Sequence, residues 1–249
     1  MLSIVAVVPQ PPLLVPELAA GAAPDVADLR EACVAVAARL AAVSTRWIAI
    51  GTDPAQPRAG GSEGTEVGSF WGFGVDVRVA LTPNAALQQA DPEMPLPLLI
   101  AGWLREQADP SVVVRGLLVP PDLGTAECAD LGAELADELA ADPEPTALLV
   151  LGDGASTHTA WSPGYLDDRA GPFDERVAKA LAVADAGALR LLEPELAHEL
   201  GAVGRAPWQV LAAAAEQAEP AGGWRGELLY SAAPYGVAYH VAMWERGHG

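Results

Sequence analysis

Residues 147–158 read ALLVLGDGASTH, and this stretch decides the fold class. Its first five side chains are all apolar, which is typical of a short strand that is buried on both faces. A glycine-rich polar segment follows at once, as in α/β proteins whose strand ends carry functional loops. The stretch therefore predicts a buried strand, Ala147–Leu151, that leads directly into a polar loop.

The same alternation continues on both sides of this stretch. Short apolar runs alternate with segments whose apolar residues recur three and four apart, so strands alternate with helices. The other predicted strands are Leu2–Val8, Trp47–Ile50, Val67–Phe73, Val75–Leu81, Val112–Val119, Gly226–Ser231 and Val237–Trp244. The predicted helices are Pro24–Val43, Pro97–Gln107, Thr125–Ala140, Phe173–Leu192, Pro194–Leu200 and Pro207–Gln217. A Gly/Pro/Ser-rich loop covers 55–64, and no repeat or linker divides the chain. We expect one α/β domain over residues 1–249, with a largely parallel central sheet flanked by helices.

The composition limits the binding partners and the cellular compartment that we expect for the protein. The chain has 249 residues, a formal net charge of −19 and 51% hydrophobic residues. This charge opposes binding to nucleic-acid phosphates or to anionic lipid, both of which need basic patches. No apolar run approaches the roughly 20 residues of a membrane span, and the apolar N-terminus lacks a positively charged start. Two cysteines are too few for a disulfide framework. We expect a cytoplasmic protein with neither a nucleic-acid nor a membrane partner.

Polar side chains follow several predicted strands at the point where each strand ends. Gln10 follows the first strand, Asp53 the second, and Asp153 and His158 follow the strand at 147–151. Because ligands in open α/β sheets bind at the carboxyl ends of the strands, we expect these residues to line one cleft. We interpret Gln10, Asp53 and Asp153 as ligand-binding residues and His158 as a candidate acid/base group. Trp161, in the polar loop after His158, is expected to line the same pocket.

Each of these residues also has a plainer interpretation. Either aspartate alone can simply cap a turn, and His158 can tie down its loop through a backbone carbonyl. His240 is expected to hydrogen-bond within its strand. The chain contains no phosphate loop, no dinucleotide-binding fingerprint and no Gly-x-Ser-x-Gly nucleophile motif.

Four stretches resemble a known family. They are VVPQPPLLVPE at 7–17, LVLGDGASTH at 149–158, FDERV at 173–177 and APYGVAYH at 233–240. Together they resemble the catalytic chains of the class III extradiol ring-cleavage dioxygenases, whose fold the Memo-type proteins share. The resemblance implies an α/β fold, a catechol-type substrate and Fe(II) held by two histidines and one carboxylate. It also implies that His158 is the acid/base histidine of the family.

The chain departs from the family at the iron ligands. The first family histidine corresponds to Gln10. The second would lie after the strand at 47–50, where no histidine occurs and Asp53 is the nearest ligand-type residue. Glu227 is a weak match for the late glutamate ligand. We expect an extradiol dioxygenase-like protein with a degenerate metal site, no metal ligands and no cofactor. It would bind a small aromatic or polar molecule, or a partner, without catalysis or with altered chemistry.

Two alternatives stay open. In the first, the protein is an active metal-dependent enzyme that uses Asp53, Asp153 and His158, with Fe(II) or another divalent metal. By family default it would then cleave a catechol-type ring. In the second, the protein is a structural interaction protein, with apolar side chains such as Trp161 and Trp244 in the contacts of a homo-oligomer. Whether the chain is an enzyme is left open, although iron-dependent ring cleavage is disfavoured.

We predict that the protein does not bind Fe(II) tightly. Gln10 offers a neutral amide oxygen where the family has an imidazole, and nitrogen ligands supply much of the affinity for iron. Anaerobic reconstitution with Fe(II), desalting and metal analysis should leave iron well below one equivalent. Near-stoichiometric iron after desalting would contradict the prediction.

Overall fold

A seven-stranded sheet forms the centre of the protein in this computed structural model, which describes residues 1–19, 21, 24–56, 58–61, 66–83, 85, 88–218, 220 and 222–247. Within these residues the strands are β1 (Leu2–Val8), β2 (Arg46–Thr52), β3 (Gly60–Gly61), β4 (Val67–Ser69), β5 (Arg78–Ala80), β6 (Val113–Val119), β7 (Thr146–Leu151), β8 (Trp224–Ala232) and β9 (Tyr239–Arg246). The strand order is β3-β6-β2-β7-β1-β9-β8, and β4 pairs with β5 separately.

The four central strands, β6, β2, β7 and β1, run parallel. Antiparallel strands flank them: β3 beside β6, and β9 and β8 beyond β1. The predicted α/β fold with a largely parallel central sheet is therefore confirmed. Every residue of β7 is buried, which explains why its sequence is apolar on both faces instead of alternating.

Helices cover both faces of this sheet. They are α1 (Pro16–Ala19), α2 (Ala27–Val43), α3 (Leu96–Ala108), α4 (Thr125–Ala141), α5 (Ala170–Val183), α6 (Ala186–Arg190), α7 (Pro194–Glu199) and α8 (Arg205–Gln217). Alternate residues of each strand face opposite cores: Ile48 and Ile50 pack in the core under α4, α5 and α8, and Trp47 and Ala49 pack in the core under α2 and α3. No helix in the described part of the chain is long and apolar enough to cross a membrane.

Three predicted elements differ from the observed ones: the hairpin at 67–81, the loop at 55–64 and the helix at 173–192. The hairpin at 67–81 has short strands, because Phe70–Phe73 form a 3-10 turn that ends at Gly74 with φ +100°. In the predicted loop 55–64, Gly60–Gly61 pair with β6 as β3, while residues 57 and 62–65 lie outside the described residues.

The predicted single helix Phe173–Leu192 is wrong. The helix ends at Val183 because Ala184 adopts a left-handed conformation with φ +55°. Asp185 then caps α6, since its side chain accepts a hydrogen bond from the Ala188 N–H at 2.9 Å. The amide of Ala184 lies beside Gly226 of β8, where any Cβ would come within 2.4 Å of that nitrogen. The break separates α5 from α6, although the apolar periodicity of the sequence continues through it.

We predict that Ala184→Gly stabilises the protein by about 1 kcal/mol, because glycine adopts positive φ without the steric cost that alanine incurs. Chemical denaturation checks this. Ala178→Gly, within α5, is the matched control and should destabilise by about 1 kcal/mol. Equal effects of the two substitutions would contradict the strain at Ala184.

Candidate functional site

The carboxyl ends of the parallel strands meet at one edge of the sheet, which we call the carboxyl edge. Val8 of β1 pairs with Leu151 of β7, so Gln10 and Asp153, each two residues further on, emerge side by side. Asp53 directly follows β2, which runs parallel to β7. The three residues therefore lie at the same edge of the sheet, and their part in ligand binding stays a prediction.

The antiparallel strands bring two further polar side chains to the carboxyl edge. Because β9 runs antiparallel to β1, its first residues lie where β1 ends. His240 is the second residue of β9, and its cross-strand partner in β8 is Ser231. Side chains of directly paired residues lie on the same face of a sheet. The Ser231 hydroxyl accordingly lies 3.0 Å from Nδ1 of His240.

Asp174, near the start of α5, joins the loop after β7 to β9. The residue is 5% exposed, and its carboxylate accepts hydrogen bonds from three donors. The Ala155 N–H lies 3.2 Å from both oxygens. Nε2 of His158 lies 2.6 Å from Oδ2, and Nε2 of His240 lies 3.3 Å from Oδ1. We call Asp174, His158, His240 and Ser231 the Asp174 cluster.

The hydrogen bonds of the cluster assign its protons. An ionised carboxylate only accepts, so each imidazole nitrogen that faces Asp174 carries a hydrogen. In the neutral imidazoles, Nδ1 is then an acceptor. Nδ1 of His240 accepts from the Ser231 hydroxyl. Nδ1 of His158 has no hydrogen-bond donor among the described residues, and its side chain is 20% exposed. In its neutral form, His158 therefore has an Nδ1 that can accept a hydrogen bond from a ligand.

The glycines of the loop after β7 allow this close packing. A Cβ on Gly154 would lie 2.3 Å from Oδ1 of Asp174, so a side chain there would displace the carboxylate. A Cβ on Gly152 would lie 2.3 Å from the Cα of Gly204, just before α8. Gly152 thus accommodates a close backbone and Gly154 a close side chain, one on either side of Asp153.

Asp153 and Gln10 form a second polar pair at the carboxyl edge. The Gln10 N–H donates to Oδ1 of Asp153 at 2.8 Å. This one bond does not compensate for burial, which raises the pKa of Asp153 to about 7. Gln10 is 7% exposed, and its Oε1 has no hydrogen-bond donor among the described residues. That oxygen lies near Gly51, where a Cβ would be 3.7 Å away.

Asp53 and Trp161 are placed differently. Oδ1 of Asp53 accepts the Ala55 N–H at 2.9 Å, which is the turn-capping arrangement of an aspartate before proline. Trp161 is 94% exposed, so it projects into solvent instead of lining a closed pocket. Their roles in ligand binding stay predictions.

The residues proposed as metal ligands do not converge. In the described part of the chain, no three side chains of His, Cys, Asp or Glu are placed to hold a metal ion. Glu227 is bonded to Arg39 at 2.7 Å, and Asp53 is engaged in its own turn. The imidazoles of His158 and His240 point their Nε2 atoms at a carboxylate instead of a shared vacant point. This donor set does not fit the Fe(II) centre that the family resemblance implies.

Sequence reasoning misses the residue on which the cluster is built. Asp174 stands out in the sequence only as part of a family-like stretch, although it lies between Phe173 and Val177 on the buried stripe of α5. A carboxylate on an apolar stripe needs a buried partner, and this is the signal that could have found it. His240 is expected to bond within the sheet, and it does so to Ser231. Its second bond, to Asp174, joins residues 66 positions apart and leaves no local pattern.

Comparisons with known proteins show the fold and nothing finer. No family model and no curated protein matches the chain. Among solved structures, the chain is similar to an uncharacterised protein, JW3007, from Escherichia coli K12. The two share 13% sequence identity and a TM-score of 0.51, and the match covers 98% of this chain and 99% of that one. The likeness covers nearly the whole length of both chains, and it carries no statement about activity.

We predict that Asp153 destabilises the protein as the pH rises from about 4 to 7. In this range the folded protein keeps a proton that the unfolded chain has already lost, because burial raises the pKa to about 7. Asp153→Asn cannot ionise and still accepts the Gln10 N–H. Its stability relative to wild type should therefore be higher at pH 8 than at pH 5.5, by roughly 1–2 kcal/mol, in urea unfolding.

A matched control is Asp167→Asn. Hydrogen bonds from Arg169 lower the pKa of Asp167 to about 2, so its ionisation does not change between pH 5.5 and 8. This variant should differ from wild type equally at both pH values. If Asp153→Asn also differs from wild type in stability equally at both pH values, the pKa of Asp153 is not raised in the folded protein.

Proposed function

We propose that this chain is a small-molecule-binding protein related to the catalytic chains of extradiol dioxygenases, with a degenerate metal site and a retained acid/base histidine. The observation that carries the proposal is the free Nδ1 of His158. It is the one basic nitrogen that the Asp174 cluster leaves unsatisfied among the described residues, and it lies on a partly exposed side chain. A ligand that donates a hydrogen bond completes this arrangement.

The ligand class follows from the chemistry of the groups at the carboxyl edge. Nδ1 of neutral His158 and Oε1 of Gln10 are both acceptors that have no donor among the described residues. Acceptors recognise ligands that bring O–H or N–H groups, and a basic nitrogen favours a weakly acidic hydroxyl. Phenols and catechols combine such hydroxyls with an aromatic ring. We therefore propose a small aromatic molecule with free hydroxyl groups.

The donor set also indicates what His158 does to such a ligand. With Nε2 held by Asp174, the imidazole can take a proton at Nδ1 only. The resulting imidazolium would be stabilised by the carboxylate at 2.6 Å. The ligand hydroxyl would become a phenolate paired with His158. Proton transfer of this kind needs none of the iron ligands that the chain lacks.

A comparison of the affinities for catechol and for 1,2-dimethoxybenzene tests this proposal. Both have the same ring, but the second offers no O–H group. We expect calorimetry or NMR titration to detect catechol binding and at least tenfold weaker binding of the dimethoxy compound, because the His158 contact is lost. His158→Gln should weaken catechol binding to the same level, since the amide nitrogen of glutamine can still donate to Asp174 but supplies no basic nitrogen.

Stability measurements on the same variant provide the control. His158→Gln should unfold within about 0.5 kcal/mol of wild type because the Asp174 contact is retained. Catechol binding that survives in this variant, or equal binding of the two ring compounds, would contradict the proposal. Oxygen uptake with catechol that requires added Fe(II) would instead favour the metal-dependent alternative.

A further inference from the structure

His158 and His240 share one carboxylate, and this sharing sets the charge available to either. Oδ2 of Asp174 accepts from His158, while Oδ1 accepts from His240. Each N–H that bonds to a carboxylate delocalises part of its negative charge and lowers its attraction for a further proton. Asp174 therefore stabilises a positive charge on His158 less strongly when His240 donates to it.

The residues packed around His240 exclude water from its imidazole ring. Its side chain is 2% exposed, and a buried imidazolium would lose its hydration. Ser231 from β8 occupies the Nδ1 side, and the indole ring of Trp208 from α8 lies 6.1 Å away at 62°. Asp174 from α5 is the charged group that faces both imidazoles, and the described residues bond no other charged side chain to either ring.

From this geometry we infer that His240 is a positioning residue which acts through Asp174 to keep His158 in its unprotonated, basic form. Ser231 contributes by directing its hydroxyl to Nδ1 of His240, which leaves Nε2–H to face Asp174. The effect of His240 on the protonation of His158 is present without a ligand. Only the use of this effect in ligand binding rests on the proposed function. The cluster would thus set the pH above which His158 accepts a hydroxyl proton.

Two substitutions separate the two bonds of His240. The amide nitrogen of glutamine reaches the position of the imidazole Nε2, so His240→Gln keeps a donor to Asp174. The shorter asparagine reaches only the position of Nδ1, so His240→Asn keeps a polar group near Ser231 but gives Asp174 no donor. The two variants are otherwise similar in polarity and neither carries a charge.

The readout is the protonation of His158, followed by ¹⁵N NMR of the imidazole in the whole protein without ligand, with His158→Gln used to assign the signal. In His240→Asn we expect the midpoint of His158 protonation to rise by about one pH unit, because Asp174 has lost one hydrogen bond to its charge. In His240→Gln the midpoint should stay near that of wild type.

The outcomes are distinct. Equal midpoints in wild type and both variants would overturn the inference, as would an equal shift in both variants, since that pattern indicates only a packing role. If His240→Asn is too unstable to measure, Ser231→Ala and His240→Gln still test the inference. A tautomer of His240 with the hydrogen on Nδ1, read from its ¹⁵N shifts, would also overturn it. Failure of catechol to bind would contradict the proposed function alone, because this measurement uses no ligand.

Discussion

The buried carboxylate of Asp174 is the interaction on which the arrangement of the carboxyl edge depends. One side chain accepts hydrogen bonds from the loop after β7 and from β9, and its own helix packs on the sheet. A buried charge without donors would cost several kcal/mol, so these donors must be in place when the protein folds. The cluster therefore links three segments that are distant in sequence, and it holds His158 in one orientation.

Close backbone approaches make this arrangement possible. Gly154 leaves room for the carboxylate of Asp174, and Gly152 lets the start of α8 contact the end of β7. Gly51 does the same on the other side of the sheet, where a Cβ would come within 2.3 Å of Pro97 in α3. The glycines at the ends of β2 and β7 thus bring helices from both layers against the carboxyl edge. Gln10 is buried and Asp153 is partly buried at this edge, and the desolvation of Asp153 raises its pKa.

Local patterns in the sequence predict most of the sheet, because strands buried on both faces are apolar throughout. The stretch at 147–158 predicts β7 and the polar loop after it. Local patterns cannot predict the break at Ala184, since alanine favours a helix and the neighbour of its amide, Gly226 of β8, is distant in sequence. Local patterns cannot predict the Asp174 cluster either, because the pairing of β9 with β1 is what brings His240 to Asp174.

The contrast with an iron centre lies in the charge that faces the imidazoles. In a centre of two histidines and one carboxylate, the ligands surround a cation, which can stabilise a phenolate directly. Here His158 and His240 both surround an anion, so an imidazolium is the positive charge that this cluster can generate. A phenolate would then be stabilised only if its own proton moves to His158. Under the proposed function, the orientation that Asp174 imposes on His158 would limit this sheet edge to proton exchange with a hydroxyl ligand.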